Sequence, residues 1–310
     1  MSYLEKFSEI TSLDSQEILN FVNSAPHRYK HYTIPKRNGR GVRLIAQPSK
    51  EVKYMQYIGK QLILDKLPVH SSAYAYQKQT SIKANASQHV ANSYLLKMDF
   101  SDFFPSIKPT LLLAFIQRTV GKLSVDDITL IKRLFFWQRD RMTPLQLSIG
   151  APSSPLISNI VMYDFDQYFH SYCTSRGISY TRYADDISFS TNERGVLFHI
   201  PEVVSKYLST NEYLNLSINT TKTKFSSKKH NRHVTGLVIT NNNELSLGRE
   251  RKRKIRTLVY LFTQSALETD EIFNLQGLLA FASSIEPEFI LRLKSKFSNE
   301  VVDSIKYYQE

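Results

Sequence analysis

The chain has 310 residues, 42% of them hydrophobic, enough to bury a large core in about two domains. A net charge of +12 favours a polyanionic partner, either nucleic acid or an anionic membrane surface. Cys173, the only cysteine, excludes an internal disulfide and a cysteine zinc cluster, and the chain has neither an apolar run of membrane-spanning length nor a signal-peptide start, so a cytoplasmic protein with no membrane partner is expected.

Asp14-Ser-Gln-Glu17 has the form of a capping box ahead of Ile18, Leu19 and Val22, which predicts a short N-terminal helix. Tyr32 to Ile45 reads as a hairpin around an Asn38-Gly39 turn, with basic residues at Lys36, Arg37 and Arg43. Between Glu51 and Leu67, Val52, Met55, Leu62 and Ile63 recur at helical spacing and are read as core. Tyr94-Leu-Leu-Lys-Met-Asp99 is an apolar strand that delivers a carboxylate at its far end, and Pro105 forbids the ladder from continuing. Asp102 is placed as a cap for the helix that follows.

Ile178 to Arg182 and Ile187 to Ser190 alternate as strands, so Asp185 and Asp186 fall at the tip of a hairpin. Adjacent uncompensated carboxylates repel unless a cation holds them together. With Asp99 they predict a shared divalent metal site for phosphoryl transfer, with two ions about 4 Å apart. Beyond Thr240-Asn-Asn-Asn243 the chain turns helical. Arg249, Lys252, Arg253 and Arg256 share one face there, and Ile255, Leu258, Val259 and Phe262 form an apolar stripe.

Tyr183-Ala-Asp-Asp186 together with Asp99-Phe-Ser-Asp-Phe-Phe104 resembles the catalytic palm of reverse transcriptases. Other pieces follow in the order of that family: Gly150-Ala-Pro-Ser-Ser-Pro155 with Ser158 and Asn159, then Asn219-Thr-Thr-Lys222-Thr223. Asn85-Ala-Ser-Gln-His89 and Val234-Thr-Gly236 are similar to two further signatures of retron enzymes. The resemblance covers about residues 32–256. Two positions depart from the pattern: Ser148-Ile149 replaces a Pro-Gln pair, and Ala75 stands where a glycine is usual.

The resemblance implies an α+β right-hand polymerase whose palm is an antiparallel sheet backed by helices. Its expected parts are an N-terminal helical segment (1–31), fingers (32–93), palm (94–240, with a fingers insertion at about 110–150) and thumb (241–310). It implies an RNA-directed DNA polymerase in which Asp99, Asp185 and Asp186 hold two Mg2+ ions, with Asp186 contributing mainly to their field. Arg43, Phe104, Gly150 and Lys222 are expected at the deoxynucleoside triphosphate, Phe104 as a steric gate beneath its sugar. Asn85, His89, Val234, Thr235 and Gly236 are expected to recognise RNA, with Arg249, Lys252, Arg253 and Arg256 tracking its phosphates. A retron enzyme would copy part of a dedicated structured non-coding RNA into DNA, priming from an RNA 2′-hydroxyl to give a branched hybrid. It would work with an effector protein in antiphage defence. The alternatives are an intron-type or abortive-infection reverse transcriptase, or a polymerase fold that only holds RNA.

Overall fold

The computed structural model describes residues 2–36 and 41–309. Two capped helices open the chain. In Tyr3–Thr11, Ser2 and Glu5 cap each other reciprocally, and Asp14 and Glu17 do the same for Ser15–Ser24. The second box is the one expected from sequence; the first was not anticipated. These helices bury Phe7, Ile18 and Val22 in the same core as Met55 and Ile58 of helix Lys50–Leu62 and Leu134 of helix Val125–Phe135.

The early hairpin is present as β1 (Tyr29–Pro35) and β2 (Val42–Pro48), paired in register from Tyr29↔Pro48 to Pro35↔Val42. Its expected Asn38-Gly39 turn and Arg37 lie outside the described residues. The central sheet is built on β3 (Tyr94–Ser101), flanked on one side by the hairpin β4 (Ser179–Tyr183) and β5 (Asp186–Thr191). On its other side lie β6 (Ser217–Ile218) and β7 (Lys224–Ser227), and all the pairings are antiparallel.

Alternation along β3 decides which side chains face the chemistry. Leu96, Met98 and Phe100 point into the main core, where they meet Ile160, Phe165 and Phe169 of helices Ser154–Val161 and Tyr163–Thr174. Lys97 and Asp99 fall on the opposite face. The sheet thus has one helix-backed side and one open edge of polar groups at its Asp99 end.

A second core collects Ile255, Val259, Leu275, Leu279, Phe289 and Ile305 from helices Arg249–Thr263, Thr269–Ile285, Pro287–Phe297 and Asn299–Lys306. Val234, Leu237 and Ile239 join it from the small sheet β8 (Arg232–Val234), β9 (Leu237–Ile239) and β10 (Leu245–Ser246). The boundary expected at 240/241 therefore falls inside a three-stranded sheet, because β9 and β10 pair across it. Among the described residues no helix is long and apolar enough to cross a membrane.

Candidate active site

Strand register assembles the three acids. Asp99 of β3 lies directly opposite Asp186 of β5, while Tyr183 pairs with Asp186 and leaves Ala184 and Asp185 as the two residues of the turn. Ala184 takes a left-handed φ of 57°, an uncommon conformation for a non-glycine residue. The Phe100 N–H donates to the Asp185 carbonyl at 3.1 Å and the Asn219 N–H to the Asp99 carbonyl at 2.7 Å, tying the turn, β3 and the Lys222 segment together.

Electrostatically the cluster is short of positive charge. Burial first, then Asp99 and Asp186, push the Asp185 carboxyl up to about 6, and Asp186 is raised chiefly by burial. Lys222 Nζ donates to Asp99 Oδ2 at 2.7 Å, and this bond raises the Lys222 pKa. Among the described residues no three Asp, Glu, His or Cys side chains stand close enough together to hold a metal ion as they are, so the three carboxylates would have to draw together around one. The Lys222 ammonium takes the position of a counter-cation on Asp99, and its side chain is half-exposed. Three carboxylates, two of them raised by mutual repulsion and burial, are a hard oxygen donor set suited to Mg2+.

Beneath the turn lies a buried network that the sequence reading missed. Arg182, fully buried, donates through Nε and Nη2 to Asp166 (2.9 and 2.6 Å) and through Nη1 to Asn159 Oδ1 (3.1 Å) and the Ala184 carbonyl (3.2 Å). Tyr180 donates its hydroxyl to the same Asp166 at 2.7 Å. Asn159 Nδ2 donates to the Ala75 carbonyl at 2.8 Å, and the Arg182 backbone exchanges hydrogen bonds with Ser72 and Tyr74. Asn159, in helix Ser154–Val161, is fully buried in this network.

Phe104 is half-buried, edge-on to Phe103 and 6.5 Å from the Tyr76 ring. Arg43 is exposed on β2; the Tyr76 hydroxyl is pushed up by burial first and then by Asp185, with Arg43 opposing. Gly150 (φ 129°) runs against β2; a Cβ there would meet the Ala46 carbonyl at 3.0 Å. In place of the usual Pro-Gln pair, Ser148 Oγ donates to the Ala46 carbonyl and the Ala46 N–H to the Ile149 carbonyl, so these residues tie the loop to the hairpin. Ala75 has an ordinary φ, and the left-handed position falls on Tyr76 instead. Asp102 occupies the N-cap position of Phe103–Ser106, but its side chain caps nothing.

The residues expected at RNA divide. Asn85, His89 and Val234 are buried. His89 Nδ1 and Nε2 lie 2.7 and 2.8 Å from Ser190 Oγ and Thr181 Oγ1, and burial pushes the imidazole down to about 3, which keeps it neutral. The ring thus pins helix Ile82–Ser87 to the strands that carry Asp185 and Asp186. Thr235 Oγ1 donates to the Ile82 carbonyl, while Gly236 is exposed. Of the four aligned cations, Lys252 turns to Glu286 at 3.0 Å and Arg256 lies over the Phe289 ring, because the next helices pack against that side. Arg249 and Arg253 are exposed, and neither has an ion pair among the described residues.

His89→Ala is accordingly expected to lower stability by about 1–3 kcal/mol, the usual effect of stranding buried hydroxyl partners. It should weaken cognate and unrelated RNAs alike. Denaturant unfolding beside two RNA titrations checks this; selective loss of one RNA at unchanged stability would contradict it.

The family described as reverse transcriptase (RNA-dependent DNA polymerase) matches residues 34–239, a span that contains Arg43, all three aspartates and Lys222. The retron Ec83 reverse transcriptase of Escherichia coli is 45% identical over 284 residues, covering 91% of this chain and 91% of that protein. The retron Ec73 reverse transcriptase of Escherichia coli is 33% identical over 306 residues, covering 93% and 95%. The retron Ec86 reverse transcriptase of the same organism is 28% identical over 314 residues, covering 99% and 94%.

Proposed function

Because the chain belongs to the reverse transcriptase family, is of its retron type and is an RNA-directed DNA polymerase, we propose that it copies part of a dedicated structured non-coding RNA into single-stranded DNA. In this reading synthesis starts from a 2′-hydroxyl of that RNA and leaves a branched RNA-DNA hybrid bound to the protein. An effector protein and a role in antiphage defence belong to the same proposal, as does a cytoplasmic location. The observation that carries the reading is the register of Asp99 against Asp186 beside the Asp185 turn, in a chain 45% identical to a retron enzyme.

Asp99 and Asp185 would hold the ions, with Asp186 strengthening their field. The chemistry that two Mg2+ ions would supply there is activation of the attacking hydroxyl and neutralisation of the departing pyrophosphate. The chain's own groups do the positioning. Lys222, which bonds Asp99 at 2.7 Å, would meet the nucleotide phosphates. Arg43 on β2 supplies a second cation to the triphosphate, and Phe104 closes the space beneath the sugar. Arg182 holds the Ala184 carbonyl, which fixes the turn that presents Asp185. The β1–β2 hairpin is assigned to the fingers, the five-stranded sheet to the palm and the C-terminal helical cluster to the thumb, with Arg249 and Arg253 on phosphates.

The nucleic acid that copurifies with the protein tests the proposal. A DNA strand of defined sequence that stays joined to a ribonucleotide after ribonuclease treatment, through a bond cleaved by a 2′,5′ debranching enzyme, is expected. Recovery of RNA alone, or of DNA with an unbranched 5′ end, would overturn it.

A further inference from the structure

Tyr76 combines two features that rarely coexist in a residue without a role. It is a bulky aromatic in the left-handed region, with φ 61°, and its side chain is 52% exposed. A strained residue of this kind persists only where its surroundings over-determine it, and such residues cluster at functional sites. The surroundings here are explicit. The Tyr74 N–H donates to the Arg182 carbonyl at 2.7 Å, Asn159 Nδ2 to the Ala75 carbonyl at 2.8 Å, and Gln77 Nε2 to the Ala73 carbonyl at 2.5 Å. Two of these three anchors are members of the buried network that also holds the Ala184 carbonyl of the Asp185 turn.

The backbone so fixed lays the Tyr76 ring against Phe104, with centroids 6.5 Å apart and planes at 64°, an edge-to-face pair. Phe103 meets Phe104 at 5.5 Å and 78°. The Phe104 ring therefore has one buried and one exposed aromatic neighbour, each edge-on to it. We infer that Tyr76 is a positioning residue for sugar selection: its ring, locked by the left-handed backbone, fixes the Phe104 ring and so sets how strictly the pocket rejects a 2′-hydroxyl. This rests on the reading of Phe104 as the wall beneath the incoming sugar. Burial first, then the charges of Asp185 and Tyr183, push the Tyr76 hydroxyl up while Arg43 opposes them, so these groups lie within electrostatic reach of the ring.

The test is single-nucleotide incorporation on an RNA template with matched deoxy- and ribonucleotides, using the wild type, Tyr76→Phe, Tyr76→Ala, Phe104→Val and the double variant Tyr76→Ala with Phe104→Val. Tyr76→Ala is expected to lower the deoxy-over-ribo preference about tenfold, the scale of discrimination that one steric contact supplies. Tyr76→Phe, which keeps the ring, should restore the wild-type preference. In the Phe104→Val background Tyr76→Ala should change the preference no further, because both act through one ring. Should Tyr76→Ala fail to fold, Tyr76→Leu keeps the bulk but not the edge-to-face contact, and the same fall is expected of it. Equal losses for both nucleotides, with the preference unchanged, would overturn the inference and leave the polymerase reading standing. An unchanged preference in Phe104→Val would overturn the role of Phe104 and this inference together. A wild type that incorporates neither nucleotide would overturn the polymerase reading itself.

Discussion

Asp185→Asn is expected to make the metal-free protein more stable at pH 7.5. An aspartate in the unfolded chain ionises near 3.9, whereas Asp185 in the folded chain holds its proton up to about 6 because it is buried beside Asp99 and Asp186. Between those two values the folded state binds more protons than the unfolded one, so this group lowers stability as pH rises from about 4 to about 6. By about pH 7 the penalty is complete, on the order of 2–3 kcal/mol, and a neutral asparagine does not incur it. The gain of Asp185→Asn in a chelator should therefore shrink as pH falls and vanish near pH 4. Adding Mg2+ should stabilise the wild type and leave the variant nearly unmoved, since the ion supplies the missing counter-charge. Melting curves at pH 4, 6 and 7.5 with and without Mg2+ decide it. A variant less stable than wild type at pH 7.5 would contradict the electrostatic account.

The opposite sign is expected at Asp166. This carboxylate is fully buried and accepts from Arg182 and from the Tyr180 hydroxyl, so Asp166→Asn leaves a guanidinium in the interior without its counter-charge. Breaking a buried pair from one side costs about 3–5 kcal/mol, far more than a surface pair contributes. Replacing both partners, Asp166→Leu with Arg182→Met, should recover most of that stability because no charge is then stranded. It should not recover DNA synthesis, since the Ala184 carbonyl loses its Arg182 donor and the Asp185 turn its support. Denaturant midpoints and primer extension on the single and double variants separate the two roles. A double variant with full activity would show that Arg182 only fills space.

What the sequence made legible, and what it did not, follows from the range of the interactions involved. The Asp185 hairpin and the Asp99 strand end are local patterns, a period-two alternation ended by an acid, and strand register then brings them together. The Asp14-Glu17 box was legible for the same reason. Arg182 was not, because an arginine in an alternating strand reads as solvent-facing, and its burial depends on Asp166 in a preceding helix whose acidic residues look like an ordinary surface. Lys252 looked aligned with Arg249 and Arg253 by spacing alone, yet Glu286, 34 residues downstream, takes its charge. His89 and Asn85 stand in a polar, helix-like stretch, and only the packing of helix Ile82–Ser87 against β4 and β5 turns them inward. Tyr76 could not be singled out, since a left-handed φ has no signature in a tyrosine.

In RNA-templated DNA synthesis the three aspartates are proposed to act as one metal site. Primer extension on an RNA template, run side by side for wild type and Asp185→Asn across a Mg2+ titration at pH 8, tests this most directly. The wild type should extend the primer only in the presence of Mg2+. The variant, folded and binding RNA normally, should lose on the order of a thousandfold or more in rate at every concentration, the scale of loss when a group that stabilises phosphoryl-transfer charge is removed. Near-normal extension by folded Asp185→Asn would contradict it.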